Sequence, residues 1–185
     1  MSSPRVVPQR WKAARQAAGT AIQAALCIAV PAVIACLTGE PFVFPSLGPT
    51  IFLALTASSA PTASPRNTVL GHLVSATAGY AALAVTGLTR AGVNLSHPDG
   101  RRVAAVAVAL LLASAGMMSA GVWHPPGGAT TLIVALGLLR TPGQLLVLMA
   151  AVITTSGVLV VVNRLSGRPY PLWAIRRPPE PPKAA

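Results

Sequence analysis

Negative charge is almost missing from this sequence: three Asp and Glu stand against fourteen Lys and Arg in 185 residues, a net charge of +11. Charged residues of both signs make up only 9%, far short of the quarter or so that covers a soluble globule. Aromatics are scarce at 4% and do not interleave with the basic residues, which removes the stacking surface that nucleic-acid binders use. The two cysteines, Cys27 and Cys36, have neither a C-x-x-C nor a zinc spacing and sit in apolar surroundings, so both are expected to be small reduced core residues. Neither G-x-S-x-G nor H-E-x-x-H occurs. An intramembrane enzyme would have only Ser46 or Ser119 with His72 or His124 to draw on, and three scattered histidines make no metal-ligand pair. No enzyme activity, metal or cofactor is expected.

What is present is apolar: 53% hydrophobic residues and a mean hydropathy of +0.64, the composition of a membrane protein. The positive charge marks orientation and attraction to anionic lipid. Arg5, Arg10, Lys12 and Arg15 fall in a tail over residues 1–16, and Arg164, Arg168, Arg176, Arg177 and Lys183 in a proline-rich tail over 164–185. Both tails are therefore expected in the cytoplasm, with the second disordered apart from Tyr170 and Trp173 at the membrane interface. The loop from Arg90 to Arg102, with a solvated His97, is expected outside. Between the tails lies a single transmembrane domain, 17–163. Val33-Ile34-Ala35-Cys36 resembles a lipoprotein cleavage site, but the further apolar segments favour an uncleaved first span.

Two stretches break the apolar pattern. Val122-Trp123-His124-Pro125-Pro126-Gly127-Gly128-Ala129-Thr130-Thr131 leads into an apolar run from Leu132 to Leu139, about half of the ~20 residues a spanning helix needs. Prolines without a backbone donor, followed by glycines that leave amides uncovered, predict a half-helix starting near Gly127 with a bare, electropositive mouth. Phe44-Pro45-Ser46-Leu47-Gly48-Pro49-Thr50, leading into Ile51 to Leu55, repeats this pattern. At an offset of 80, Pro45 meets Pro125, Gly48 meets Gly128 and Thr50 meets Thr130. Long apolar segments flank each: Ala17–Leu37 and Thr68–Leu88 for the first, Val103–Ala120 and Gln144–Val162 for the second. The fold class expected is thus an all-α membrane protein of six hydrophobic segments. They form two inverted repeats, about 17–88 and 103–163, and the second segment of each is a short Pro/Gly-led half-helix. Small residues at Ser75, Thr77 and Gly79 suit close helix contact. Those from Ser114 to Gly121 offer a face for a second copy of the chain. Thr154, Thr155, Ser156 and Gly157 sit mid-span, where they could face the cavity, although hydroxyls there more commonly bond their own helix carbonyls.

His124-Pro125-Pro126, together with Pro45-Ser46-Leu47-Gly48-Pro49-Thr50 and with Ser64-Pro65-Arg66-Asn67 followed by Gly71-His72, resembles the HPP family of integral membrane proteins over roughly residues 20–165. The resemblance implies a small helical membrane protein. It also implies a role in nitrite transport, to which the family's plant plastid and cyanobacterial members are linked. Some members carry regulatory CBS domains, whereas here a short tail follows, so no adenine-nucleotide control is expected.

The residues independently suit a small monovalent anion. Opposed half-helix N-termini would supply amides of Leu47 and Gly48 on one side and of Gly127, Gly128 and Ala129 on the other, with Ser46, Thr50, Thr130 and His124 adding side-chain donors. His124 and His72, with Arg66 and Asn67 beside them, are the candidates for gating or proton coupling. A helix N-terminus disfavours an imidazolium and a bound anion favours it, so proton and anion binding are expected to be linked. A carrier in the bacterial inner membrane is the first reading. A channel with two re-entrant half-helices is the alternative, and an intramembrane enzyme or scaffold comes third.

Overall fold

The structure, a computed structural model, describes residues 9–97 and 99–175. Arg5, Arg176, Arg177 and Lys183, assigned above to the tails, lie outside them. The described residues form six α-helices and no strand: α1 Gln9–Thr38, α2 Leu47–Thr56, α3 Pro65–Val85, α4 Gly100–Ser119, α5 Gly127–Ala135 and α6 Pro142–Leu165, with a 3-10 turn at Pro61–Ala63. Four of them, α1, α3, α4 and α6, are long and apolar enough to cross a membrane. With ten and nine residues, α2 and α5 rise only about 14–15 Å, half of a ~30 Å hydrocarbon layer.

Local signals set the helix limits. Pro65 opens α3 behind Ser64, whose side chain accepts from the Asn67 amide, and Pro142 opens α6 behind a Thr141–Gln144 capping box. At the other ends, Gly87 and Gly167 take positive φ, and the same turn closes both helices: Leu88 N–H bonds Leu83 C=O, and Arg168 N–H bonds Asn163 C=O. α1 begins before the expected span and carries Arg10 and Arg15 on its exposed first turns.

Hydrogen bonds tie the bundle at two ends. At one, Gln23 Nε2 donates to Ser166 Oγ, Tyr170 O–H to Ala63 C=O, and the Arg66 amide to Trp173 C=O. The start of α3 and the finish of α6 therefore share this end, with the first half of α1 beside them. At the opposite end, Arg140 donates to the carbonyls of Arg90 and Ala91. Arg102 there donates to Gly92 C=O and to Ala135 C=O, the last carbonyl of α5. Its buried guanidinium thus covers the negative end of a short helix instead of facing water.

Two expectations need correction. Residues 166–175 fold back under the bundle rather than trailing away, because Tyr170 has a buried carbonyl to bond and an apolar cluster with Cys27, Ile51 and Leu159 to enter. Burial raises its pKa above that of an ordinary phenol, so the hydroxyl remains a donor. Cys36 lies on the exposed side of α1, unlike buried Cys27. Within the small-residue stretch from Ser114 to Gly121, Gly116 meets Val74 of α3, while Ser114, Ala115, Met118, Ser119 and Ala120 stay exposed.

α3 is the hub, packed against α4, α5 and α6. Its glycines let the loop before α5 come close: a Cβ on Gly71 would lie 2.5 Å from His124 Cβ, and one on Gly79 would lie 2.7 Å from Val134 Cβ. No atom approaches within 4 Å of a Cβ placed on Gly48. Gly71→Ala is therefore expected to cost about 1–3 kcal/mol by overpacking, and Gly48→Ala less than about 0.5 kcal/mol. Thermal unfolding of both variants in detergent checks this, and equal losses would contradict the close approach.

Candidate functional site

The α3 helix carries Thr68, His72 and Ser75 on one buried face, at the i, i+4, i+7 spacing that aligns side chains along a helix. His72 points between the two short helices. Its Nδ1 lies 2.7 Å from Thr130 Oγ1 of α5, and its Nε2 lies 3.0 Å from Thr50 Oγ1 of α2. Thr50 Oγ1 is also 3.2 Å from His124 Nε2 and 2.9 Å from Ser46 C=O. His124 Nδ1 donates over 2.9 Å to Thr62 C=O. The two imidazoles stand edge to face with centroids 4.9 Å apart. Both histidines, both threonines and Ser46 are almost wholly buried.

Thr50 and Thr130 stand at the same place in α2 and α5, the fourth residue of each. They hold opposite nitrogens of one ring, so the breaks in the two short helices converge on a single side chain of α3. A cavity of about 260 Å³, lined by Thr62, Ser114, Met117, Met118, Trp123 and Pro125, reaches His124 from the side of α4. Arg66 and Asn67 do not touch the imidazoles. Arg66 Nη1 donates to Asn67 Oδ1 and Gly121 C=O, and Asn67 Nδ2 donates to Trp123 C=O, so together they brace the loop that carries His124.

Four of the five amides expected to be bare are bonded, Gly48 being the one without such a bond. Leu47 N–H bonds Phe44 C=O, and the amides of Gly127, Gly128 and Ala129 bond the carbonyls of His124, Pro125 and Pro126. Each helix is led in by a tight turn whose i+3 bonds use these donors. Of the glycines singled out, Gly48 is exposed and Gly128 half-buried, while Gly127 is packed so closely that a Cβ there would lie 2.6 Å from Ser75 Oγ. The interior of the site is thus built from side chains: Ser46, Thr50, His72, His124 and Thr130.

Sequence reasoning named Ser46 as a donor but missed the other members of a second set of groups. The hydroxyl oxygens of Ser46, Thr68, Ser75 and Thr155 are buried with no hydrogen-bond partner, a condition that costs about 1–3 kcal/mol each. Thr155 does not make the commoner bond to its own helix. The missed signal was spacing: Ser75 and Thr155 are separated by the same 80 positions as Thr50 and Thr130. His97 is exposed, as expected, with its amide bonded to Asn94 Oδ1. No group of three or more His, Cys, Asp or Glu side chains able to hold a metal ion occurs among the described residues.

Comparison with known proteins agrees with this layout. Two transmembrane proteins of Dictyostelium discoideum are similar to the chain. One is 40% identical over 92 residues, half of this chain and 27% of its own length, and the other 34% identical over 118 residues, 61% of this chain and 38% of its own. The chain thus spans well under half of either relative. No solved structure matches. The family defined by the HPP transmembrane region matches residues 8–171, which takes in all six helices; the chain belongs to the HPP family of integral membrane proteins.

Proposed function

We propose that this protein carries a small monovalent anion, nitrite or one of similar size, across the membrane through the site centred on His72. The observation that carries the reading is the joint grip of Thr50 and Thr130 on His72, where two interrupted helices meet inside the bundle. A backbone break at membrane depth persists only where protein buries it or a polar pathway needs it. Membership of the HPP family suggests a transport role.

The chemistry favours an anion. The buried hydroxyls of Ser46, Ser75 and Thr155 are donors without a partner. Among the described residues no carboxylate stands with them: Glu40 and Asp99 lie in the exposed segments beside α1 and α4. A desolvated cation would find no fixed counter-charge, whereas an anion would find hydrogen bonds to replace its water. Ser46, Thr50, Thr130 and His124 are the proposed first ligands. The turns at Leu47–Gly48 and Gly127–Ala129 place the positive ends of α2 and α5 nearby.

The chain is further proposed to consist of two inverted units of three segments. The offset of 80 relates the starts of α2 and α5, the pairs Thr50 and Thr130 and Ser75 and Thr155, and the terminal turns of α3 and α6, all of which supports this reading. The end holding Gln23, Arg66 and Ser166 is then cytoplasmic, and the Arg90 to Arg102 loop lies outside. A cysteine at exposed Ser96 should react with an impermeant thiol reagent only from the outer side, and reaction only from the cytoplasm would overturn the two-unit reading.

Transport itself is tested in proteoliposomes against protein-free vesicles. Nitrite uptake should be saturable, show counterflow, and exceed that of small cations and neutral solutes. A bound anion favours an imidazolium at His124, so by reciprocity anion affinity should rise as pH falls from 8 to 5.5. His124→Gln, which keeps a donor but does not titrate, should lose that rise. An unchanged pH dependence would remove His124 from coupling. Cation or neutral-solute flux without anion flux would overturn the anion reading.

A further inference from the structure

We infer that His124 is the proton-carrying residue of this protein and that the Thr50 hydroxyl, by swinging between His124 Nε2 and the Ser46 carbonyl, is the positioning group that lets it take up and release that proton. The inference deepens the proton-linked reading above, and its test needs no anion.

Counting donors leaves two arrangements. A carbonyl only accepts, so His124 Nδ1, 2.9 Å from Thr62 C=O, carries a hydrogen. Thr130 Oγ1 has no hydrogen-bond partner other than His72 Nδ1 among the described residues, so its buried hydrogen is used only if the hydroxyl donates to Nδ1, which puts the His72 hydrogen on Nε2, facing Thr50. Thr50 has one hydrogen and three neighbours: Ser46 C=O, His72 Nε2 and His124 Nε2. Since His72 Nε2 donates to it, its own hydrogen goes to His124 Nε2 or to Ser46 C=O.

In the first arrangement the bonds run one way, from Thr130 O–H to His72, from His72 N–H to Thr50, from Thr50 O–H to His124 and from His124 N–H to Thr62 C=O, and both rings are neutral. In the second, a proton from water has added to His124 Nε2. The Thr50 O–H, unbroken, has rotated to Ser46 C=O, and Thr50 Oγ1 accepts from both rings. Only His124 becomes an imidazolium. His72 has no such outlet, because protonating its Nδ1 would turn the Thr130 hydroxyl away from its acceptor.

The surroundings leave that charge without a fixed partner. The titratable or charged groups around His124 are His72 on α3, Arg66 at the start of α3 bonded to the His124 loop at Gly121 C=O, and Tyr170 bonded to Ala63 C=O beside Thr62. α2, the 3-10 turn, α5 and the half of α4 next to the loop contribute none. Protonation at His124 thus creates a positive charge beside which no anionic group stands among the described residues, and it moves a hydrogen bond onto Ser46, the residue that opens α2.

The test is nitrogen-15 NMR of the whole protein labelled at histidine, in nanodiscs, with exposed His97 as the internal reference. At pH 8 one buried ring should show the Nδ1–H tautomer, assigned to His124 by its absence in His124→Gln, and the other the Nε2–H tautomer. On acidification His124 should become doubly protonated while His72 stays neutral. Thr50→Val removes an oxygen that accepts from the imidazolium, so it should move this step to lower pH by about one unit or more, and Thr50→Ser should restore it. Reversed tautomers, His72 protonating first, or Thr50→Val titrating like wild type would each overturn the inference. If Thr50→Val does not fold, the wild-type tautomers and the order of protonation still decide it.

Discussion

A helix of nine or ten residues cannot bridge a bilayer, and everything else in this structure depends on how two such helices are completed inside it. Each interrupted end leaves backbone groups that lipid cannot hydrate. The tight turns before Leu47 and Gly127 satisfy most of the amides locally, and Arg102 covers the last carbonyl of α5. What joins the two helices to the rest is His72, held from both sides by Thr50 and Thr130. The glycines of α3 make this possible, since Gly71 admits the His124 loop to van der Waals contact.

The same solution gives the interior its character. Hydroxyls and imidazoles are polar without fixed charge, so they can be buried at a cost a bundle tolerates, and several are left with unused hydrogen-bonding capacity. Glu40 and Asp99 sit at helix boundaries instead, where the Asp99 side chain caps α4 at the Arg102 amide. A site with donors, titratable rings and no carboxylate is suited to an anion that arrives with a proton. That is the physical basis of the proposed function.

Much of this was legible in the sequence because the bilayer enforces length. Proline and glycine followed by a run too short to span marked α2 and α5, and the start expected near Gly127 is where α5 begins. The order of long and short segments followed from hydropathy. Other features were hidden for identifiable reasons. Whether an amide after Pro125-Pro126 is free depends on how tightly the turn closes, and composition says nothing about that. His72 was suspect as a buried ionisable residue, but its place between two threonines 80 positions apart is a three-dimensional fact. Arg102 looked like a loop charge because its stem and head cannot be placed from one sequence. Tyr170 lay in a segment whose prolines suggested disorder, and the carbonyl that holds it belongs to Ala63, 107 positions earlier.

If His72 is the joint through which the two short helices work as one site, Thr50 and Thr130 are two halves of a single grip. A double-mutant cycle on nitrite uptake measures this directly, using Thr50→Val, Thr130→Val and the pair in proteoliposomes, with the amount of folded protein matched. The account predicts a loss in each single variant and a double variant little worse than the poorer single, because either change opens the same joint. Losses that simply multiply, or a single variant with wild-type uptake, would contradict it.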